Sequence, residues 1–216
     1  MAFVTLALVL LAWLAANSGL DRAVTEFFYD VSLARFPAHE SHWLELLGHR
    51  VAKLAIWVVA LGMLAAAFAT KRIRQTPHEQ CAIGFAVLAM ALGPMMVSAL
   101  KHATGHHCPW DLRLYGGFAE VNHGWFVAAA DAGRCFPSGH ASAGFALISL
   151  YFLGQAIDRP RIARIGLIAA IIAGTAFSAV RVAQGAHFVS HNLWAAAVDW
   201  FAAALVFTPL LARRRA

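Results

Sequence analysis

The sequence predicts an all-α, polytopic membrane protein with six transmembrane helices in one bundle and interfacial helices in its outward segments. Composition is the first reason: the 216 residues are 61% hydrophobic and 13% charged, with a mean hydropathy of +0.65. Soluble domains carry roughly a quarter of charged residues. Run length is the second, because several stretches approach the ~20 apolar residues that cross a bilayer. The third is where the charge falls. The net charge of +6 would suit a nucleic-acid partner if it formed a patch. It lies instead in short loops between apolar runs, where Lys and Arg set topology. No nucleic-acid partner is expected, and residues 1–216 read as one membrane-embedded domain.

The first span is Ala2 to Ser18. A signal peptide is the rival reading, with Leu14-Ala15-Ala16 before a cleavage point, but no Lys or Arg precedes the run. Residues 20–48 mix Phe27, Phe28, Tyr29, Phe36 and Trp43 with Asp21, Arg22, Glu26 and Arg35, which predicts short interfacial helices. Span two covers about Val51 to Thr70 and ends in Lys71-Arg72-Ile73-Arg74. Span three covers about Cys81 to Leu100, with a kink expected at Pro94. A polar loop, 102–137, follows. Span four is about Ala141 to Ile157, span five about Ile165 to Val182, and span six about Phe188 to Leu211. Gly84, Gly93, Gly144, Gly154 and Gly174 are expected to allow close helix approach.

Six spans place the loops at 71–80 and 158–164, and both termini, on one side. Nine of the 17 Lys and Arg residues lie there, three in each loop and three at the C-terminus, opposed by Glu79 and Asp158 alone. The positive-inside rule makes that side cytoplasmic. Segments 20–48 and 102–137 then face outward. Cys81, at the cytoplasmic end of span three, is expected to be free and buried. Cys108 and Cys135 share the outward loop, where an oxidising compartment predicts a bridge between them.

Three polar clusters mark the outer ends of spans: Lys101 to Pro109, Pro137 to His140, and Arg181 to His191. Taken alone, Pro137-Ser138-Gly139-His140 is an ordinary capped helix start with a surface His. Beside the other two it reads as one wall of an anion site. The Ser138 and Gly139 backbone would add N–H donors, Lys101 and Arg181 positive charge, and His187 a neutral imidazole able to attack phosphorus or take a proton.

These residues resemble a known family. Lys101 with Pro109, then Pro137-Ser138-Gly139-His140, then Arg181-x5-His187 are similar to the three-part signature of the phosphatidic acid phosphatase type 2 superfamily. The order and spacing cover essentially the whole chain. The Leu20–Tyr29 segment, Gln184-Gly185-Ala186-His187-Phe188 and the cysteines look most like its bacterial lipid A phosphatase-type members. The resemblance implies a metal-independent phosphatase with no cofactor. His187 would be the nucleophile and form a phosphohistidine, and His140 would protonate the leaving oxygen. Lys101, Ser138, Gly139 and Arg181 would hold the phosphoryl group. Fixed positive charge and positioning are what a phosphoryl transition state mainly needs.

Two positions depart from the signature. Cys108 stands where the family has an Arg, and His191 where it has an Asp. His107, Arg113 or Arg134 would have to supply the missing charge, with Arg134 tied closest by the bridge. His191 offers His187 a hydrogen-bond acceptor but no negative charge; Asp111 would supply that from the loop, while Asp199 lies too deep. Two rivals stay open. His102-x3-His106 and His187-x3-His191 have the spacing of a shared metal site, which would make a metal-dependent hydrolase. A lipid-phosphate binder or transporter without turnover is the other. The expectation is a phosphatase acting on a phosphorylated lipid, with membrane lipids around it and its site facing the periplasm from a bacterial inner membrane.

Overall fold

The computed structural model of the chain describes residues 1–46, 54, 58–63, 65, 76–128 and 130–213. Eight helices are bounded within them: α1 (Ala2–Asn17), α2 (Leu20–Phe28), α3 (His42–Glu45), α4 (Pro77–Lys101), α5 (Gly139–Phe145), α6 (Ile148–Ala156), α7 (Pro160–Ala183) and α8 (Val189–Arg213). Among the described residues β pairing is limited to isolated bridges, so the chain is all-α. Three helices are long and apolar enough to cross a membrane, Pro77–Lys101, Pro160–Ala183 and Val189–Ala212. A fourth span arises if α1 and α2, bent by 65° at Ser18 and Gly19, are taken as one.

The expected count of six does not emerge from these elements. Most of span two and the 71–74 loop lie outside the described residues, although 58–63 are helical and Val59, Ala60 and Met63 pack against the core. Span four is corrected from one helix to two. At the junction Leu147 N–H donates to Gly144 O, and Leu150 N–H to Leu147 O, the tighter three-residue pattern that ends an α-helix. The same region meets α7 at backbone distance: a Cβ at Gly144 would come 2.5 Å from the Gly174 nitrogen.

The core lies between α4, α6, α7 and α8 and includes Met90, Ile148, Phe152, Trp200 and Phe207. Helix α1 runs along α8, with Trp200 Nε1 donating to the Met1 carbonyl at 3.4 Å. A capping box starts α4: Glu79 N–H donates to Thr76 Oγ1 and Thr76 N–H to Glu79 Oε2. The helix continues through Pro94. Its first turn is tied to the α6–α7 turn by His78 Nε2, 3.0 Å from the Ala156 carbonyl, and by Arg159 with Glu79 at 3.7 Å. That end lies 25 residues of helix from Lys101, so the polar clusters gather at the opposite end of the bundle.

Two smaller expectations are corrected. Cys81 is free but exposed, and Gly84 meets open space. Both lie on the outer face of α4, and hydropathy alone does not separate a lipid-facing position from a bundle-facing one.

Candidate active site

Three helix ends and one turn build the site. Lys101 is the last residue of α4. Ser138 is the N-cap of α5, its hydroxyl accepting from Ala141 N–H, and Ser138 N–H donates to the His191 carbonyl at 3.1 Å. That bond fixes the start of α5 against the start of α8. A methyl at Gly139 would lie 3.8 Å from Lys101 Nζ, which puts the start of α5 beside that ammonium. Arg181 sits in the last turn of α7. One of its amino groups donates to Gln184 Oε1 at 2.9 Å, and its guanidinium lies 5.4 Å from the Trp110 ring centre. Both contacts aim a planar donor fork that suits a phosphoryl group.

His187 follows in the turn between α7 and α8. Gly185 takes φ +69° there, Ala186 N–H returns to Arg181 O, and Trp110 N–H donates to Gly185 O at 2.9 Å. The turn leaves the imidazole 3% exposed. Burial pushes the His187 pKa well below the ordinary histidine value, and the nearby His191, Lys101, Arg181 and His140 push the same way. The ring is therefore neutral at physiological pH. Groups from all three polar clusters thus act on this one ring.

Cys108 and Cys135 form the expected disulfide. Its place was not foreseen. Cys135 Sγ lies 3.4 Å from His187 Nδ1 and 3.0 Å from the Ala186 carbonyl oxygen. A bonded sulfur accepts weakly and donates nothing, so it suits a proton on Nδ1 and leaves the Nε2 lone pair for chemistry. The sulfur, not His191, stands within hydrogen-bond reach of Nδ1. The His191 ring packs edge-on at 5.9 Å between centres, and its Nδ1 has no partner among the described residues.

The other sequence-derived candidates separate clearly. His140 is half-buried in the first turn of α5. Arg134 is exposed beside Cys135 with φ 54°. Arg113 pairs with Glu120 at 2.8 Å, both side chains exposed. Asp111 lies in a 3-10 turn (Pro109–Asp111) where burial raises its pKa, with His107 and His39 acting in the opposite direction. Of the two i,i+4 histidine pairs, the first is drawn apart, with His102 Nδ1 on Ser98 O at 2.8 Å and His106 stacked on Phe136 at 4.5 Å between ring centres; the second stays together, and His106 packs edge-on against His191 at 6.0 Å. Among the described residues, the group with ligand atoms close enough for one ion is Cys108, Cys135 and His187, and there the two sulfurs are bonded to each other.

Several supporting residues escaped the sequence reading. Trp110 backs Arg181. Asp21 accepts from both Ser190 N–H and Ser190 Oγ, capping α8 from helix α2. Beside it a cavity of about 650 Å³ opens between the α1–α2 bend, the 102–137 loop and the start of α8, lined in part by Trp13, His106, Trp125, Phe136, His191 and Trp194. The Leu20–Tyr29 resemblance was the one sequence signal for Asp21; nothing local marked Trp110.

A buried imidazole under the influence of Lys101 and Arg181 lies in the part of the chain where the family comparison falls. The PAP2 superfamily matches residues 82–215, and the chain belongs to it. That membership supports a phosphatase acting on phosphorylated substrates. Neither the curated proteins nor the solved structures gave a match.

Proposed function

We propose that the chain removes phosphate from a phosphorylated lipid at the outer face of a bacterial inner membrane, through a phosphohistidine on His187. The observation that carries this reading is a buried His187 on which Lys101, Arg181 and His140 act, with Gly139 at the start of α5 close to Lys101. In the reaction, His187 Nε2 attacks phosphorus while Lys101, Arg181 and the α5 backbone hold the phosphoryl oxygens. His140 gives its proton to the leaving oxygen, which departs as an alcohol or a phosphate monoester. His140 then takes a proton from the water that attacks the phosphohistidine, releasing phosphate and restoring both rings. Arg134, exposed next to the bridge, is proposed to meet the substrate as it enters. The aromatic cavity beside His191 and the apolar helix faces support a lipid-borne substrate.

Phosphate release is to be measured on lipid A, undecaprenyl diphosphate, phosphatidylglycerol phosphate and phosphatidate, with and without EDTA. Release that resists EDTA supports the reading, and loss restored by zinc contradicts its metal-independent chemistry. A specific observation favours one alternative: a disulfide and an imidazole stand where the family signature has an Arg and an Asp. Binding of these lipids with no turnover of any would make the chain a lipid-phosphate binder.

A further inference from the structure

We infer that reduction of the Cys108–Cys135 bridge turns Cys108, Cys135 and His187 into a site for a thiophilic divalent cation of the zinc class, and that the cation disables His187. One ligand atom from each of the three residues lies within 4.8 Å of the other two. In a tetrahedral site with Zn–S of about 2.3 Å and Zn–N of about 2.1 Å, sulfur and nitrogen sit roughly 3.6 Å apart and two sulfurs roughly 3.8 Å apart. Cys135 Sγ and His187 Nδ1 are already 3.4 Å apart, so the main movement needed is separation of the Cys108 sulfur from that of Cys135.

The three residues are held together without the bridge. Cys135 N–H donates to His106 O, Trp110 N–H to Gly185 O, and Ser138 N–H to His191 O. Those bonds fasten both cysteine segments to the turn carrying His187. Cys135 is fully buried and His187 is 3% exposed, which keeps competing water off the ligands.

A dithiol gives two electrons and two protons to the disulfide and becomes a cyclic disulfide, leaving two thiols on the chain. Each thiol loses its proton to solvent as the cation binds. Two thiolates cancel the two charges of the cation, so the cluster adds no net positive charge beside Lys101 and Arg181. A neutral imidazole that coordinates through Nδ1 carries its proton on Nε2. The lone pair that attacks phosphorus is then gone.

Cobalt(II) is the probe, added to the full chain in detergent before and after treatment with dithiothreitol and anaerobic desalting. The expected result is one cobalt per reduced chain with thiolate-to-cobalt absorbance, displaced by zinc, and none in the oxidised chain. His187→Ala should weaken binding at least tenfold, and Cys135→Ser should remove much of the thiolate absorbance. Cys81→Ser should change neither, because Cys81 lies in the first turns of α4, far from Lys101. The inference is overturned if the reduced chain, still helical by circular dichroism, takes up no cobalt, or if it unfolds on reduction. It is also overturned if oxidised and reduced chains bind alike, or if His187→Ala binds unchanged. Disabling of His187 rests on the phosphatase reading: phosphate release should stop on zinc loading of the reduced chain and return with EDTA. Release that continues with zinc bound overturns that half. An oxidised chain that releases no phosphate counts against the phosphatase reading, and the cobalt result still decides the metal site.

Discussion

Asp21 holds Ser190 across 169 positions of sequence, its two carboxylate oxygens accepting the backbone N–H at 2.8 Å and the hydroxyl. An acidic cap at the start of α8 satisfies free N–H groups and opposes the positive end of the helix dipole. It also fixes the turn that carries His187. Asp21→Ala should cost about 1 kcal/mol, a fall of roughly 2–4 °C in thermal midpoint for a chain of this size. It should lower phosphate release as well. Asp21→Asn should recover most of the stability, which thermal unfolding in detergent will check.

Gly185 should not tolerate a side chain. At φ +69° a non-glycine residue is strained, by about 1–2 kcal/mol, and a new Cβ would also press on the Phe36 ring. Gly185→Ala should therefore displace His187 and reduce turnover more than the stability loss explains. Adding Phe36→Leu should relieve the contact but not the backbone strain, giving partial recovery in an assay of kcat.

Arg181 is aimed by Gln184 and Trp110, and a lysine makes neither contact in the same geometry. Arg181→Lys should lower kcat/KM by about 10²-fold, near the scale of one lost electrostatic donor. Trp110→Ala should have a smaller effect in the same direction. An Arg181→Lys enzyme with unchanged kcat/KM would remove Arg181 from the cradle.

Stability should fall on the acid side. Burial, helped by His123, lowers the His106 pKa to about 4, against about 6.5 in an unfolded chain. Between those values the unfolded chain binds a proton that the folded chain does not. The contribution is full above pH 6.5 and is lost as the pH falls toward 4. His187 shifts in the same direction. Thermal midpoints measured from pH 7.5 to 4.5 should decline through this window. His106→Phe, which keeps a ring to stack on Phe136, should flatten the decline.

Much of the fold follows from local signals. Apolar run length located α1, α4, α7 and α8, and the Ser138 cap falls where a hydroxyl precedes an apolar helix. The Cys108–Cys135 bridge followed from two cysteines in one loop. The break at Ala146 and Leu147 did not, because it arises where Gly144 meets the α7 backbone, a contact between segments some thirty residues apart. Asp21 with Ser190 and Trp110 with Arg181 escaped for the same reason: long-range partners leave no local periodicity. Hydropathy also left the exposure of Cys81 open, since lipid and protein interior are equally apolar. Motif spacing named Lys101, Ser138, Gly139, His140, Arg181 and His187, but not the sulfur beside His187 Nδ1.

The most direct test of the account is to quench the protein during turnover of a ³²P-labelled lipid phosphate and map the label by mass spectrometry. Phosphate should be found on His187, stable to base and labile to acid, and should be absent from His187→Ala, which should also lose phosphate release by about 10³-fold or more. Turnover with no phosphorylated residue, or with phosphate on a residue other than His187, would contradict it.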